Sequence, residues 1–241
     1  TDNPNSLLEN NVTALLATSK YELWIGYRYS GMSRLDRRTG EYTHYKSSSS
    51  DDKTIGTNSI TSIIKSKAND IWVGTFAGGL NLFDKETETV RRYQHDPNNE
   101  FTISSDKVVA VYEDKQELLW VGTIDKGLNL FNPALGTSTR IQQENSNPKT
   151  LGSNTVFAVH EDKNGNIWVG TGGAGLNLLT AKNRAIGNYE FEIFSREHGL
   201  PSSSVFGILE GHDGMLWLST NRGLTKFDPE TKAILNYDSS H

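Results

Sequence analysis

Two pairs of adjacent carboxylates are the residues of this chain whose type most resembles acid–base machinery, Glu113-Asp114 and Glu161-Asp162. Two carboxylates can cleave a glycosidic bond when they flank it together. Neighbours on a strand point to opposite faces, however, so these pairs do not converge on one bond. Both pairs also recur in the same place, at the opening of a turn. We therefore predict that each Asp accepts backbone N–H bonds within a hairpin.

A glycine-rich segment, Gly170-Thr171-Gly172-Gly173-Ala174-Gly175, fits the G-x-G-x-x-G pattern of dinucleotide-binding folds. That chemistry needs a helix directly after the loop, because the amides of its first turn hold the pyrophosphate. The residues that follow, Leu176-Asn177-Leu178-Leu179, are typical of a strand instead. The six histidines lack the spacing of metal ligands. We predict no cofactor and no metal.

The composition narrows the class of protein. Hydrophobic residues make up 35% of 241 residues and glycines number 22, which favours an all-β protein with many tight turns. The net charge is -5 and the basic residues do not cluster, so we expect no nucleic-acid partner. Cysteine is absent, which excludes disulfides and thiolate metal sites. The longest apolar run, Val108 to Tyr112, has about five residues, against the roughly 20 that span a membrane.

The spacing of the tryptophans shows an internal repeat. All five stand at intervals of 48, 48, 48 and 49 residues: Trp24, Trp72, Trp120, Trp168 and Trp217. Each is followed by a glycine that opens an alternating segment such as Gly79-Leu80-Asn81-Leu82-Phe83: Gly31, Gly79, Gly127, Gly175 and Gly223. We divide residues 1–241, a single region, into units of about 7–53, 54–101, 102–149, 150–199 and 200–241. A fixed period of this length is the signature of a repeat architecture.

Each unit contains four short apolar segments separated by turn residues, which predicts four antiparallel strands. Sheets of this kind, repeated every 40–50 residues, form the blades of a β-propeller. The first strand is expected innermost and the Trp of the second strand between blades. The glycine is expected to supply a positive φ or a close backbone approach. The loop between the second and third strands should share one face with the long connection between blades.

The motif Glu-Asp-Lys-x-Gly-x-Ile/Leu-Trp-Val-Gly-Thr, followed by Gly-Leu-Asn-Leu-Phe-Asp, resembles the two-component regulator propeller repeat. The resemblance covers all five units. Unit four departs from it, with Leu179 in place of Phe and an insertion from Lys182 to Asn188. The N-terminal residues 1–6 resemble the middle of a connection and residues 236–241 resemble the beginning of one, so we expect a segment of a longer array. Five blades could close a ring alone or form part of a ring of about seven.

The resemblance implies a function. Its members form the extracytoplasmic sensor region of bacterial membrane receptors with histidine kinase or diguanylate cyclase output, and they often sense oligosaccharides. We expect a non-catalytic, periplasmic segment that binds a small polar ligand, contacts neighbouring blades and signalling domains of a longer chain, and belongs to a receptor able to form a homodimer. No leader or transmembrane segment occurs in this sequence, so that location requires a longer precursor. The alternatives are a propeller lyase or hydrolase and a protein-binding scaffold.

The family motif names no ligand residues, so the candidates come from what breaks the repeat. Polar and aromatic residues peculiar to one unit fall on the predicted loop face, where they suit stacking and hydrogen bonding to a sugar. These candidates are Tyr27, Arg28, Tyr29, Phe76, His95, Asp125, Lys126, Asn221 and Arg222.

Overall fold

The computed structural model describes residues 5–238, and these residues form five four-stranded sheets, the blades. Within each blade the strands pair in chain order and antiparallel. Blades 1 and 2 comprise β1 (Val12–Ala17), β2 (Glu22–Tyr27), β3 (Met32–Asp36), β4 (Glu41–Tyr45), β5 (Ile60–Lys65), β6 (Ile71–Thr75), β7 (Gly79–Asp84) and β8 (Thr89–Tyr93). Blade 3 comprises β9 (Val108–Glu113), β10 (Leu119–Thr123), β11 (Leu128–Asn132) and β12 (Thr137–Ile141). Blades 4 and 5 comprise β13 (Val156–Glu161), β14 (Ile167–Thr171), β15 (Leu176–Leu179), β16 (Glu192–Phe194), β17 (Val205–Glu210), β18 (Leu216–Thr220), β19 (Gly223–Phe227) and β20 (Ile234–Tyr237). The predicted all-β propeller class and the number of blades are confirmed, and each sheet lies inside one predicted repeat unit.

The first strand of every blade is the innermost, as predicted. Inner strands of consecutive blades pack against each other, β1 on β5, β5 on β9, β9 on β13 and β13 on β17. Within the described residues, β17 does not pack on β1 in this way. Accordingly Leu15 on blade 1 is 63% exposed and Leu209 on blade 5 is 69% exposed. The five blades therefore form an open arc whose two end sheets are uncovered.

The core lies between the blades, because each sheet has an apolar face on both sides. The Trp of one blade points toward the next blade and meets its Ile-x-Val strand and its Phe. Trp24, for example, packs on Ile71, Val73 and Phe83, with the two aromatic rings 5.0 Å apart and edge to face. The four Trp of blades 1–4 are at most 1% exposed. Trp217 of blade 5 meets no further blade among residues 5–238 and is half-buried.

The repeat glycines have the backbone that was predicted for them. All five adopt a positive φ, between 67° at Gly175 and 100° at Gly223. A Cβ at these positions would lie between 2.1 and 2.5 Å from a backbone carbonyl oxygen of the outermost strand. Only glycine fits both the left-handed φ and this close approach. These glycines fix where the third strand begins.

In unit four, Leu179 stands where most other units have Phe, and an arginine from the insertion makes an additional contact with the preceding blade. Its insertion forms a helical turn, α1 (Ala181–Ala185), which carries the half-buried Arg184. The Arg184 guanidinium lies 5.6 Å from the Trp120 ring, on which Leu179 also packs. A cation on the face of a tryptophan is favourable. The interface between blades 3 and 4 thus uses Leu179 and Arg184 where other interfaces use Phe.

Candidate functional site

The aspartates of the two carboxylate pairs accept hydrogen bonds from the hairpins in which they lie. Asp114 accepts a hydrogen bond from Trp120 Nε1 at 2.8 Å, and two backbone N–H groups of its own turn donate to its other oxygen. Asp162 accepts from Trp168 Nε1 at 2.8 Å in the same way. Burial acts to raise the pKa of Asp162, but the hydrogen bonds from Trp168 and Asn166 hold that pKa below its ordinary value. The predicted turn role of these aspartates is confirmed.

The glutamates of the pairs join one blade to the one before it. Glu113 accepts the backbone N–H of Lys67 at 2.8 Å, and Glu161 accepts that of Lys115 at 2.6 Å. Arg184 adds a bond of 3.1 Å to Glu161 and one of 2.5 Å to Asp114, and it also contacts Gln116. The side chains of Glu161 and Asp114 are at most 1% exposed. Both pairs therefore hold neighbouring blades together on the hairpin face, which is the side opposite the loop face and carries the turns between first and second strands and between third and fourth strands.

The glycine-rich segment continues into β15, as predicted, and not into a helix. Its loop is tied to the connection that leads from blade 4 to blade 5, since Ser203 O accepts the N–H groups of Gly173 and Gly175. Among residues 5–238, no group of three or more His, Asp or Glu side chains is arranged to hold a metal ion.

The loops between second and third strands do share a face with the long connections. Phe76, for instance, pairs with Lys107 through a β-bridge, and Gly31 N–H donates to Asn58 O. This loop face is where the nine candidate residues were expected, and the structure separates them into several small groups.

The first group lies on blade 1. Arg28 Nε donates to the Tyr29 hydroxyl at 2.7 Å, and the guanidinium lies 5.4 Å from the same ring. Tyr29 is among the most exposed aromatic residues of the described chain. Glu9 holds the loop by accepting the backbone N–H groups of both residues. Tyr27, by contrast, is fully buried. Its side chain is therefore not accessible to a ligand in this conformation, because it takes the buried position that Thr has in other blades.

A second group joins blades 2 and 3. Lys107, whose backbone pairs with exposed Phe76, donates to Asp125 Oδ2 at 2.9 Å. Burial acts to raise the pKa of Asp125, yet the hydrogen bonds from Lys107 and Ser105 and the charges of Lys107 and Lys126 together leave that pKa below its ordinary value. Lys126 follows in the same loop, where its backbone N–H donates to Thr123 Oγ1. An exposed aromatic residue thus pairs through its backbone with the cationic member of an ion pair at this junction.

The remaining candidates lie apart. His95 has structural partners, since its backbone N–H donates to Asp106 at 2.7 Å and its Nδ1 lies 2.9 Å from Ile103 O. Asn221 and Arg222 line an open hollow on blade 5 beside Pro201 and Asn236. The nine residues therefore do not form one continuous site.

Two aromatic residues on the loop side, half-buried Phe157 and exposed Phe206, were missed in the sequence. Phe157 and Phe206 follow the first residue of the inner strands of blades 4 and 5, and their ring centroids lie 5.0 Å apart. The signal was present, because alignment of the five units puts Thr13, Thr61 and Val109 at this position.

Three segments match the family model described as Two component regulator propeller, at residues 102–125, 150–173 and 199–222. Each match covers the inner hairpin region of one blade. The repeat recognised in the sequence is thereby confirmed. No curated protein matches the chain.

Several solved structures share the fold. The extracellular domain of the hybrid two component system BT3049 from B. thetaiotaomicron is 23% identical, with a TM-score of 0.82 over 97% of this chain and 30% of that one. The extracellular domain of the one component system BT4673 from the same organism is 19% identical, with a TM-score of 0.58 over 95% and 37%. Virginiamycin B lyase from Staphylococcus aureus is 13% identical, with a TM-score of 0.71 over 95% and 70%. The chain thus spans about a third of the length of the two extracellular domains, and these likenesses establish the propeller fold. No helix of residues 5–238 has the length and apolarity needed to cross a bilayer.

Proposed function

We propose that this chain, which carries two component regulator propeller repeats, is a ligand-binding segment of the extracytoplasmic sensor region of a bacterial membrane receptor. One observation carries the proposal. The repeat identified in three blades is combined with a five-blade arc that superimposes on the extracellular domain of a hybrid two component system. The receptor's output domain, a histidine kinase or a diguanylate cyclase, lies elsewhere in the longer chain.

The segment acts by binding and without chemistry. An enzyme of this fold would need acid and base groups that are free to meet a substrate. The carboxylate pairs are instead engaged by Trp indoles, backbone amides and Arg184. The likeness to virginiamycin B lyase concerns the fold, and it makes turnover the competing outcome of any binding assay.

The loop face supplies the contacts. Arg28 and Tyr29 form an exposed guanidinium–phenol pair, and Phe76 lies beside the Lys107–Asp125 ion pair. Such aromatic faces flanked by fixed charges suit a polar ligand, an oligosaccharide above all. A ligand that contacts loops of several blades binds some arrangements of the blades better than others, and it shifts the receptor toward those arrangements.

The test is a thermal-shift screen of the 241-residue protein against neutral and anionic oligosaccharides and small polar metabolites. We expect one ligand class to raise the melting temperature, with the ligand recovered unchanged by mass spectrometry. Conversion of the ligand would overturn the proposal in favour of an enzyme.

A matched pair of variants locates the binding face. Arg28→Ala removes a guanidinium stacked on Tyr29 on the loop face, whereas Arg38→Ala removes one that lies 5.7 Å from the Tyr21 ring on the hairpin face. We expect only Arg28→Ala to reduce the shift. Equal losses in both variants would contradict the assignment to the loop face.

A further inference from the structure

A β-bulge occurs at the same place in all five inner strands. Each inner strand pairs regularly with its second strand except after its first residue, where one residue is skipped in the register. A bulge leaves its extra residue unpaired and re-aims its side chain. The skipped residues are Thr13, Thr61, Val109, Phe157 and Phe206.

The contacts of the two threonines show where this position lies. Thr13 Oγ1 donates to Ile60 O at 2.6 Å, and Thr61 Oγ1 donates to Val108 O at 2.8 Å. In each case the acceptor belongs to the first residue of the next inner strand. The bulge residues therefore follow the inner edge of the arc, at the end of the inner strands that adjoins the loop face.

In blades 4 and 5 this position is phenylalanine, which cannot donate the hydrogen bond that Thr13 and Thr61 donate to the next inner strand. The rings of Phe157 and Phe206 are inclined by 36° to each other. The adjacent loop is shaped to accommodate the first ring, because a Cβ on Gly172 would come within 2.8 Å of Phe157. Phe206 is 46% exposed although it is a large apolar residue. The pair thus forms a partly open aromatic surface that we name the bulge platform.

The charges around the bulge platform are informative. Exposed Tyr29 and Tyr21 each lie beneath a Lys or Arg cation, whereas none of the cation–π contacts within residues 5–238 involves Phe157 or Phe206. The chain segments that border the platform carry hydroxyls, at Thr155 and Ser204, and the Gly172–Ser204 bridge links the two blades there. With no cation against either ring, the ring faces give an anion no advantage over a neutral ligand.

We propose that the bulge platform is a stacking site for an uncharged sugar ring. A pyranose has an apolar C–H face that can lie on Phe206, and hydroxyls at its edge that can bond to the bordering polar groups. This inference rests on the proposed function and gives it a site and a ligand class. The platform is built on strands of the inner edge, whereas Arg28 and Asp125 lie in loops, and its border meets the Asp125 loop where Thr155 Oγ1 donates to Ile124 O at 2.8 Å.

The test measures binding of cellohexaose, maltohexaose and xylohexaose by isothermal titration calorimetry, with indole as a planar aromatic probe and hexagalacturonate as an anionic probe. We expect a neutral hexasaccharide to bind, and Phe206→Ala to weaken it by about tenfold or more, since aromatic contacts of this kind are worth on the order of a factor of ten. Phe206→Trp should preserve binding. Leu135→Ala removes a 72% exposed apolar side chain on the hairpin face and should leave binding unchanged.

Each alternative outcome has a separate meaning. Binding of a neutral hexasaccharide that Phe206→Ala leaves intact overturns the bulge platform but not the sensor. Binding of indole or hexagalacturonate in place of every neutral sugar overturns the ligand class, and so does a lack of binding by all the probes. The proposed sensor role falls independently, if the ligand found in the thermal-shift screen is chemically converted.

Discussion

Replacement of Gly79 by alanine is the most direct test of how the blades are built. Gly79 has a φ of 73°, and an added Cβ would lie 2.3 Å from Tyr93 O. Two costs therefore arise, one from the left-handed backbone and one from the collision with a carbonyl that belongs to the β7–β8 pairing. Gly40 separates these costs, because its φ is 78° and an added Cβ meets nothing within 4 Å.

The magnitude follows from this pair of sites. An alanine in the left-handed region costs about 1 kcal/mol in unfolding free energy. That is the whole effect expected for Gly40→Ala. At Gly79 the Cβ must move by about 0.7 Å or more to reach the 3.0 Å that real contacts keep, and relief of such overpacking costs about 2 kcal/mol more. We therefore expect Gly79→Ala to lose about 3 kcal/mol.

Urea denaturation followed by far-ultraviolet circular dichroism measures both variants against the wild type. The expected result is a midpoint for Gly79→Ala well below that of Gly40→Ala at equal slope. Unfolding free energies of the two variants within about 0.5 kcal/mol of each other would refute the reasoning, because the collision would then cost nothing beyond the backbone conformation.

Three further outcomes are expected. Arg184→Gln should destabilise the protein by about 2–3 kcal/mol, because it leaves the buried carboxylates of Asp114 and Glu161 with fewer partners. Lys182→Gln, an exposed change on the same helical turn, should be neutral. Equal urea midpoints of the two variants would contradict the role of Arg184. The depressed pKa of Asp162 stabilises the fold above its unfolded value near 3.8, and this stability is lost as pH falls through the lower folded pKa. Asp162→Asn should therefore flatten the decline of stability below about pH 4, and an acid-unfolding curve parallel to that of the wild type would refute this. Trp72→Ala, between blades 2 and 3, should cost about 3–5 kcal/mol in chemical denaturation, and the same truncation of half-buried Trp217 should cost clearly less; equal losses would contradict the open arc.

The strand pattern was predictable because it is a local property. Four strands a blade were predicted from the alternation of apolar and polar residues and from the turn residues between segments. The interval of 48 residues between tryptophans predicted the length of each blade. The hairpin role of Asp114 and Asp162 could be predicted for the same reason, since their partners lie within six residues. Tyr27 shows the limit of this reasoning. It breaks the repeat, which suggested an exposed ligand contact, yet its position in the strand is a buried one.

By itself the sequence determined the repeat, the blade and the face on which the loops lie, because period-2 patterning and glycine conformations act within a few residues of each other. Only the tertiary structure decided which distant residues meet. Arg184 reaches Asp114 across 70 positions of the chain, and Phe157 meets Phe206 across 49. Such contacts require two separate sheets to pack around a common inner edge, and the bulge that directs Phe206 is a feature of strand pairing. The packing of two blades and the register shift at a bulge leave no local pattern of residue types in the chain. For that reason neither could be predicted from the sequence.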